Sequence, residues 1–135
     1  LDVGLLGALS QLPETILLEG NALFTEFKGA LAENYVATAL VNSHGRDSLY
    51  YWTSAGTAEV DFIVSHNNAI YPLEVKSGAS GHLKSLQLYY DRYHPPVRSR
   101  ASLQPLHYRD QFVNYPLYLA QRFPLSAEML GSSHN

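Results

Sequence analysis

Cysteine is absent from the 135-residue chain. Disulfides, thiolate nucleophiles and cysteine-based zinc sites are therefore excluded. A reducing, cytoplasmic setting is the expectation, because nothing in the composition requires oxidation. Apolar runs are short. None approaches the roughly 20 residues that cross a bilayer, so neither a membrane span nor a secretory leader is expected. Basic residues are scarce in the first half. Residues 1–75 hold two (Lys28, Arg46) against nine acidic ones, a balance of −7. Residues 76–122 hold seven against two, a balance of +5, and Glu128 completes the net −3. Such a split fits either a solvated face or a surface that meets phosphates. The six histidines, at 44, 66, 82, 94, 107 and 134, lack metal-ligand spacing. Leu83 precedes Lys84-Ser85 where a phosphate loop needs glycine, which argues against nucleotide binding. No serine sits in a nucleophile elbow.

What remains is a globular composition: 46% hydrophobic residues, with ten Tyr and five Phe to fill a core. The length suits one domain, and the initial Leu1 suggests a piece of a longer protein. Residues 1–20 read as a connecting segment, 21–125 as the domain and 126–135 as a tail, frayed over Gly131–Asn135. Asn21 is a candidate helix cap. Behind it Leu23, Phe24, Phe27, Leu31, Tyr35 and Leu40 recur at helical steps, predicting a helix over about 22–41. Leu49–Thr53, Ala58–Ser65 and Ile70–Lys76 read as strands. Asn67-Asn68 is a turn signal that makes the last two a hairpin. A second helix is expected over His82–Tyr93, with Leu83, Leu86 and Tyr90 on one side, before His94-Pro95-Pro96 stops it. Ala101–Leu106 is a fourth strand candidate, and Pro116–Phe123 a short helix with proline in its first turn. The order predicts an α/β domain with a central sheet.

The chemistry concentrates in Glu59-Val60-Asp61-Phe62-Ile63-Val64 and Pro72-Leu73-Glu74-Val75-Lys76. Strand alternation places Glu74 and Lys76 on one face, with Leu73 and Val75 on the other, and points Val60 and Phe62 into the core. The midpoint of positions 61 and 74 falls at the Asn67-Asn68 turn, so the hairpin brings Asp61 opposite Glu74. Converging carboxylates repel unless a charge offsets them. Mg²⁺, which favours a couple of carboxylates plus water and phosphate oxygens, is suited to that place. It would activate a bound water and stabilise charge on a phosphate under attack. Lys76 would hold the water or the phosphate as a point charge. A surface ion pair among strand charges is the plainer alternative.

The run Glu59-Val60-Asp61-Phe62 followed by Pro72-Leu73-Glu74-Val75-Lys76-Ser77-Gly78 resembles the PD-(D/E)xK nuclease superfamily. More closely, the chain is similar to an uncharacterised domain at the C-terminus of many bacterial and archaeal AAA-type ATPases. That similarity rests on Asp2-Val3-Gly4-Leu5-Leu6, Phe27, Glu33-Asn34-Tyr35-Val36, Tyr50-Tyr51-Trp52 and Pro116-Leu117-Tyr118. It implies a restriction-endonuclease-like α/β fold, a central mixed β-sheet flanked by α-helices, with Asp61, Glu74 and Lys76 at the core sheet. It also implies that Glu33, from the first helix, joins Asp61 and Glu74 as a ligand of Mg²⁺ (or Mn²⁺); an exposed helix charge is the alternative. Val60 stands where the superfamily's name has proline. Glu59 is an outer ligand or simply solvated. Gln87 and Tyr90 loosely match a Gln and a Tyr that some of these nucleases carry near the site, although packing suits Tyr90 better. Lys84 is placed to touch a DNA backbone or to sit on the surface. The expected function is metal-dependent cleavage of DNA, with an attached ATPase as partner. A non-catalytic module binding nucleic acid or protein for that ATPase, and a purely structural domain, are the alternatives.

Overall fold

The computed structural model describes residues 22–77 and 83–131, with side chains from residue 28 onward. The connecting segment 1–20, the contacts of Leu23, Phe24 and Phe27, the glycines at 78 and 81, and His82 lie outside this range, as do residues 132–135. Helix α1 spans Ala22–His44. Strands β1 (Leu49–Thr53), β2 (Glu59–His66) and β3 (Ala69–Val75) follow, then helix α2 (Lys84–Tyr93) and strand β4 (Arg98–Ser102). Strands β5 (His107–Arg109) and β6 (Phe112–Pro116) lead into a 3₁₀ helix, Leu117–Arg122, and a short helix α3, Ala127–Gly131.

The six strands form one mixed sheet in the order β1-β2-β3-β4-β6-β5. β1 to β3 are antiparallel, whereas β4 runs parallel to both β3 and β6. The α2 segment supplies the crossover that a parallel β3–β4 neighbour demands. Among the described residues no helix is long and apolar enough to cross a membrane.

Two cores cover the two faces. On one, α1 sets Val36, Ala39 and Leu40 against Val64, Leu73, Ala101, Val113 and Tyr115, closed by Ala120, Phe123 and Leu130. The first helix is therefore anchored by Val36 and Ala39 as well as by the expected Leu31 and Leu40, while Tyr35 is half-buried. Leu130 brings α3, in the segment read as a tail, onto this core. The Tyr115 hydroxyl accepts the Leu125 N–H at 3.1 Å, and burial pushes the phenol up to about 12. On the other face, Leu86 and Tyr89 of α2 pack against Val60 and Ile63, with Trp52, Leu83 and Phe112 around them. Tyr89, and not the expected Tyr90, is the buried tyrosine of α2.

The β2–β3 hairpin keeps the register expected of it. Phe62 faces Leu73, Ile63 faces Pro72, and His66 faces Ala69 across the Asn67-Asn68 turn. Both asparagines have positive φ, 49° and 64°, the conformation a two-residue hairpin loop needs. The fourth strand lies earlier than expected, at Arg98–Ser102 instead of Ala101–Leu106. Pro95-Pro96 ends α2, and the chain re-enters the sheet at once. The β5–β6 hairpin was not foreseen, because its turn, Asp110-Gln111, lacks the usual Asn-Gly chemistry.

Candidate functional site

Asp61 sits at a break in the sheet. Between β1 and β2, Tyr50 faces Ile63 and Trp52 faces Val60, so Asp61 and Phe62 together oppose Tyr51. This is a bulge, a device that re-aims side chains. Its effect is visible in the packing. Phe62 joins the α1 core, whereas Val60 joins the α2 core. Simple alternation, which would send both residues to one face, fails here. The β2–β3 ladder stops after Phe62 and Leu73. The Val75 N–H then donates to Asp61 Oδ2 at 2.8 Å, so the carboxylate accepts a strand amide in place of a β2 carbonyl. Because strand amides lie in the sheet plane, this oxygen does too.

Glu74, one residue before Val75, is 7% exposed. Its carboxyl is pushed up to about 8 by burial, by a hydrogen bond to Asp61 and by the charges of Asp61 and Glu59, with Lys76 opposing. Asp61 thus acts on the Glu74 carboxyl, although the residue pairing of the hairpin stops one step short of these two positions. Glu33, on α1 and more exposed, is also raised, first by burial and then by the charge of Asp61 and a hydrogen bond to it. The positive charge of Lys76 opposes the rise at both glutamates. Asp61 is thus the hub, with Glu33 reaching it from α1 and Glu74 from β3. Neither glutamate is among the groups that shift the other. Among the described residues, no three His, Asp or Glu side chains form a group that would hold a metal ion as they stand.

A cleft of about 310 Å³ opens beside the hub, lined by Glu33, Tyr51, Glu59, Val60 and Asp61. Glu59 is exposed, and its backbone N–H donates to Ser85 Oγ at 3.3 Å. Tyr51 is 74% exposed at the cleft's edge. The arrangement can share one proton between two carboxyls, or exchange that proton for a cation.

The other candidates from the sequence fall elsewhere. The Gln87 amide Nε2 donates to Asp91, and its Oε1 accepts from Arg98 at 2.6 Å. Tyr90 carries the Arg98 guanidinium over its ring at 5.0 Å. Both residues thus serve to hold Arg98. Lys84 is exposed at the start of α2. His44 and His66 meet edge to face, 5.5 Å between ring centres. Pattern reading missed the bulge and Asn114. Asn114 is 2% exposed and bonds Arg100, Ser102, Gln104 and Pro105. Its one sequence signal was a polar residue inside the apolar run Phe112–Tyr115.

Residues 28–118 match the family model described as Domain of unknown function (DUF4143). No curated protein and no solved structure matches the chain.

Proposed function

The chain belongs to the DUF4143 family, and from that premise we propose that the domain is a metal-dependent nuclease-like module acting on DNA phosphodiesters. Within the same reading the fold is restriction-endonuclease-like, of PD-(D/E)xK type. The domain is the C-terminal part of an AAA-type ATPase, working in the cytoplasm. The observation that carries the proposal is a buried Glu74 whose carboxyl is raised by burial and by Asp61, the latter held at a sheet break by the Val75 amide, with the Lys76 charge opposing. A buried carboxyl beside a second, half-buried one is costly to ionise without a cation.

Asp61 and Glu74 are the residues that would hold Mg²⁺ or Mn²⁺, and Glu33 is the third carboxylate within reach of Asp61. Two carboxylates suffice for Mg²⁺, which keeps several waters. When bound, the ion would supply Lewis-acid stabilisation of a phosphate and a more acidic water. The chain's own residues do the remaining work. The Val75 amide fixes the Asp61 carboxylate. The Lys76 ammonium offers a mobile donor and positive charge to a phosphate oxygen or a water. Glu33 and Glu59 line the cleft by which water and substrate arrive.

A second reading is favoured by two observations: Asp61 already bonds a strand amide, and among the described residues no three-acid group is preformed. In that case the domain binds nucleic acid or a protein partner for its ATPase without cutting. Calorimetric titration with Mg²⁺ and Mn²⁺, followed by plasmid and branched-DNA cleavage, separates the two. The nuclease reading expects cation binding and metal-dependent nicking by the wild type, both lost in Asp61→Ala. Absence of cation binding by the wild type refutes it, and DNA binding indifferent to metal supports the second reading.

A further inference from the structure

Two arginines stand on β4, and the structure treats them differently. Arg98 is enclosed. Its Nη1 donates to Gln87 Oε1 at 2.6 Å, its Nη2 to the Asp110 carbonyl at 2.7 Å, and its guanidinium lies 5.0 Å from the centre of the Tyr90 ring and 5.9 Å from that of Phe112. It ties α2 to the β5–β6 turn. Arg100 is held at one point only. Its Nε donates to Asn114 Oδ1 at 2.8 Å, and its guanidinium rests 5.3 Å from the centre of the Phe112 ring. Among the described residues no protein acceptor takes either of its Nη groups.

The anchor is firm. Asn114 also accepts the Ser102 hydroxyl at 2.7 Å and donates to the Gln104 and Pro105 carbonyls, so its amide cannot turn away. Register fixes where Arg100 stands. Glu74 faces Arg100 across the parallel β3–β4 pair, and Arg100 faces Asn114 across β4–β6. Paired residues share a sheet face, so Glu74, Arg100 and Asn114 form one transverse row, on the side where α2 packs against Phe112. A guanidinium gripped through Nε and backed by a ring presents its Nη edge as a preset fork, the geometry that suits two oxygens of a phosphate.

We propose that Arg100, positioned by Asn114 and Phe112, is a phosphate anchor of the acid site, gripping a backbone phosphate of the nucleic acid next to Glu74. This rests on reading Asp61 and Glu74 as a phosphodiester site. It adds a binding residue on the neighbouring strand, outside the acid–acid–lysine set.

The test is the affinity for a short fluorescent duplex, measured as anisotropy against salt concentration without divalent metal, alongside Mg²⁺ calorimetry on the protein alone. Arg100→Gln is expected to weaken duplex binding about tenfold at low salt. The slope of log affinity against log salt should fall by about one, and the Mg²⁺ isotherm should be unchanged. Arg100→Lys, which keeps the charge, guards against a folding defect. It should retain the slope and lose part of the affinity, because a point charge replaces a fork. Variants that bind duplex like the wild type, or a wild type that binds no duplex, overturn the proposal. A wild type that shows the Arg100-dependent slope but takes up no Mg²⁺ defeats the hydrolytic reading and leaves the anchor standing.

Discussion

Glu74 is where burial and repulsion act on a single proton. Its carboxyl, about 8 in the fold, would titrate near 4.5 in the unfolded chain. Between those values the folded state binds more protons than the unfolded one, so stability falls as pH rises, by roughly 1.4 kcal/mol per pH unit at most. The contribution is complete below 4.5 and fully lost above 8. Thermal melts from pH 4.5 to 8.5 should therefore decline for the wild type. Glu74→Gln, which keeps a donor for Asp61 and has no proton to lose, should show a flatter profile and the higher melting temperature at pH 8.5. Parallel profiles for the two proteins would mean that Glu74 ionises without strain. The residue types of this site were readable in the sequence, because Asp61, Glu74 and Lys76 interrupt the apolar residues of two segments joined by one turn. The burial of Glu74 was not readable, since it depends on α2 and β4, which reach it only through the fold.

The two hairpins show what makes an element legible. Asn67-Asn68 announces a tight turn, since asparagine tolerates positive φ, and the register followed from counting outward. Asp110-Gln111 adopts the same positive φ, 52° and 56°, with Arg109 facing Phe112 across it, yet glutamine gives no such signal. Here tertiary contacts override local preference. The Gln111 carbonyl accepts the Arg98 N–H at 2.8 Å, and the Asp110 carbonyl takes the Arg98 guanidinium. Both are backbone acceptors, so a side-chain change leaves them in place. Gln111→Gly should consequently stabilise the domain by about 0.5–1 kcal/mol, as the left-handed conformation becomes strain-free. Urea unfolding should show a higher midpoint at unchanged slope. A lower midpoint would mean that the Gln111 side chain holds the turn. The bulge in β2 was equally silent in the sequence. It is a property of the pairing between β1 and β2, and it moves Val60 and Phe62 to opposite cores while leaving the apolar pattern intact.

At the scale of the molecule, the sheet separates an α1 core from an α2 core, and Asp61 lies where the two meet: in the sheet plane, bonded to Val75, with Glu33 and Glu74 as neighbours. Negative charge is concentrated there, while Arg98 and Arg100 belong to the parallel half of the sheet. A cation bound at Asp61 and Glu74 would relieve the repulsion that the fold tolerates by protonating Glu74, so binding and stability must be linked. With Mg²⁺ at 100 times its dissociation constant, the native state should gain about 2.7 kcal/mol, or roughly 5–10 °C in melting temperature for a chain of this size. Sodium at matched ionic strength should give no such gain. The effect should grow from pH 6 to pH 8, since Mg²⁺ must displace the Glu74 proton, and it should vanish in Asp61→Asn. A shift of equal size with sodium would reduce the site to general screening of an acidic cluster. A Mg²⁺-specific shift that survives Asp61→Asn would place the cation elsewhere on the protein.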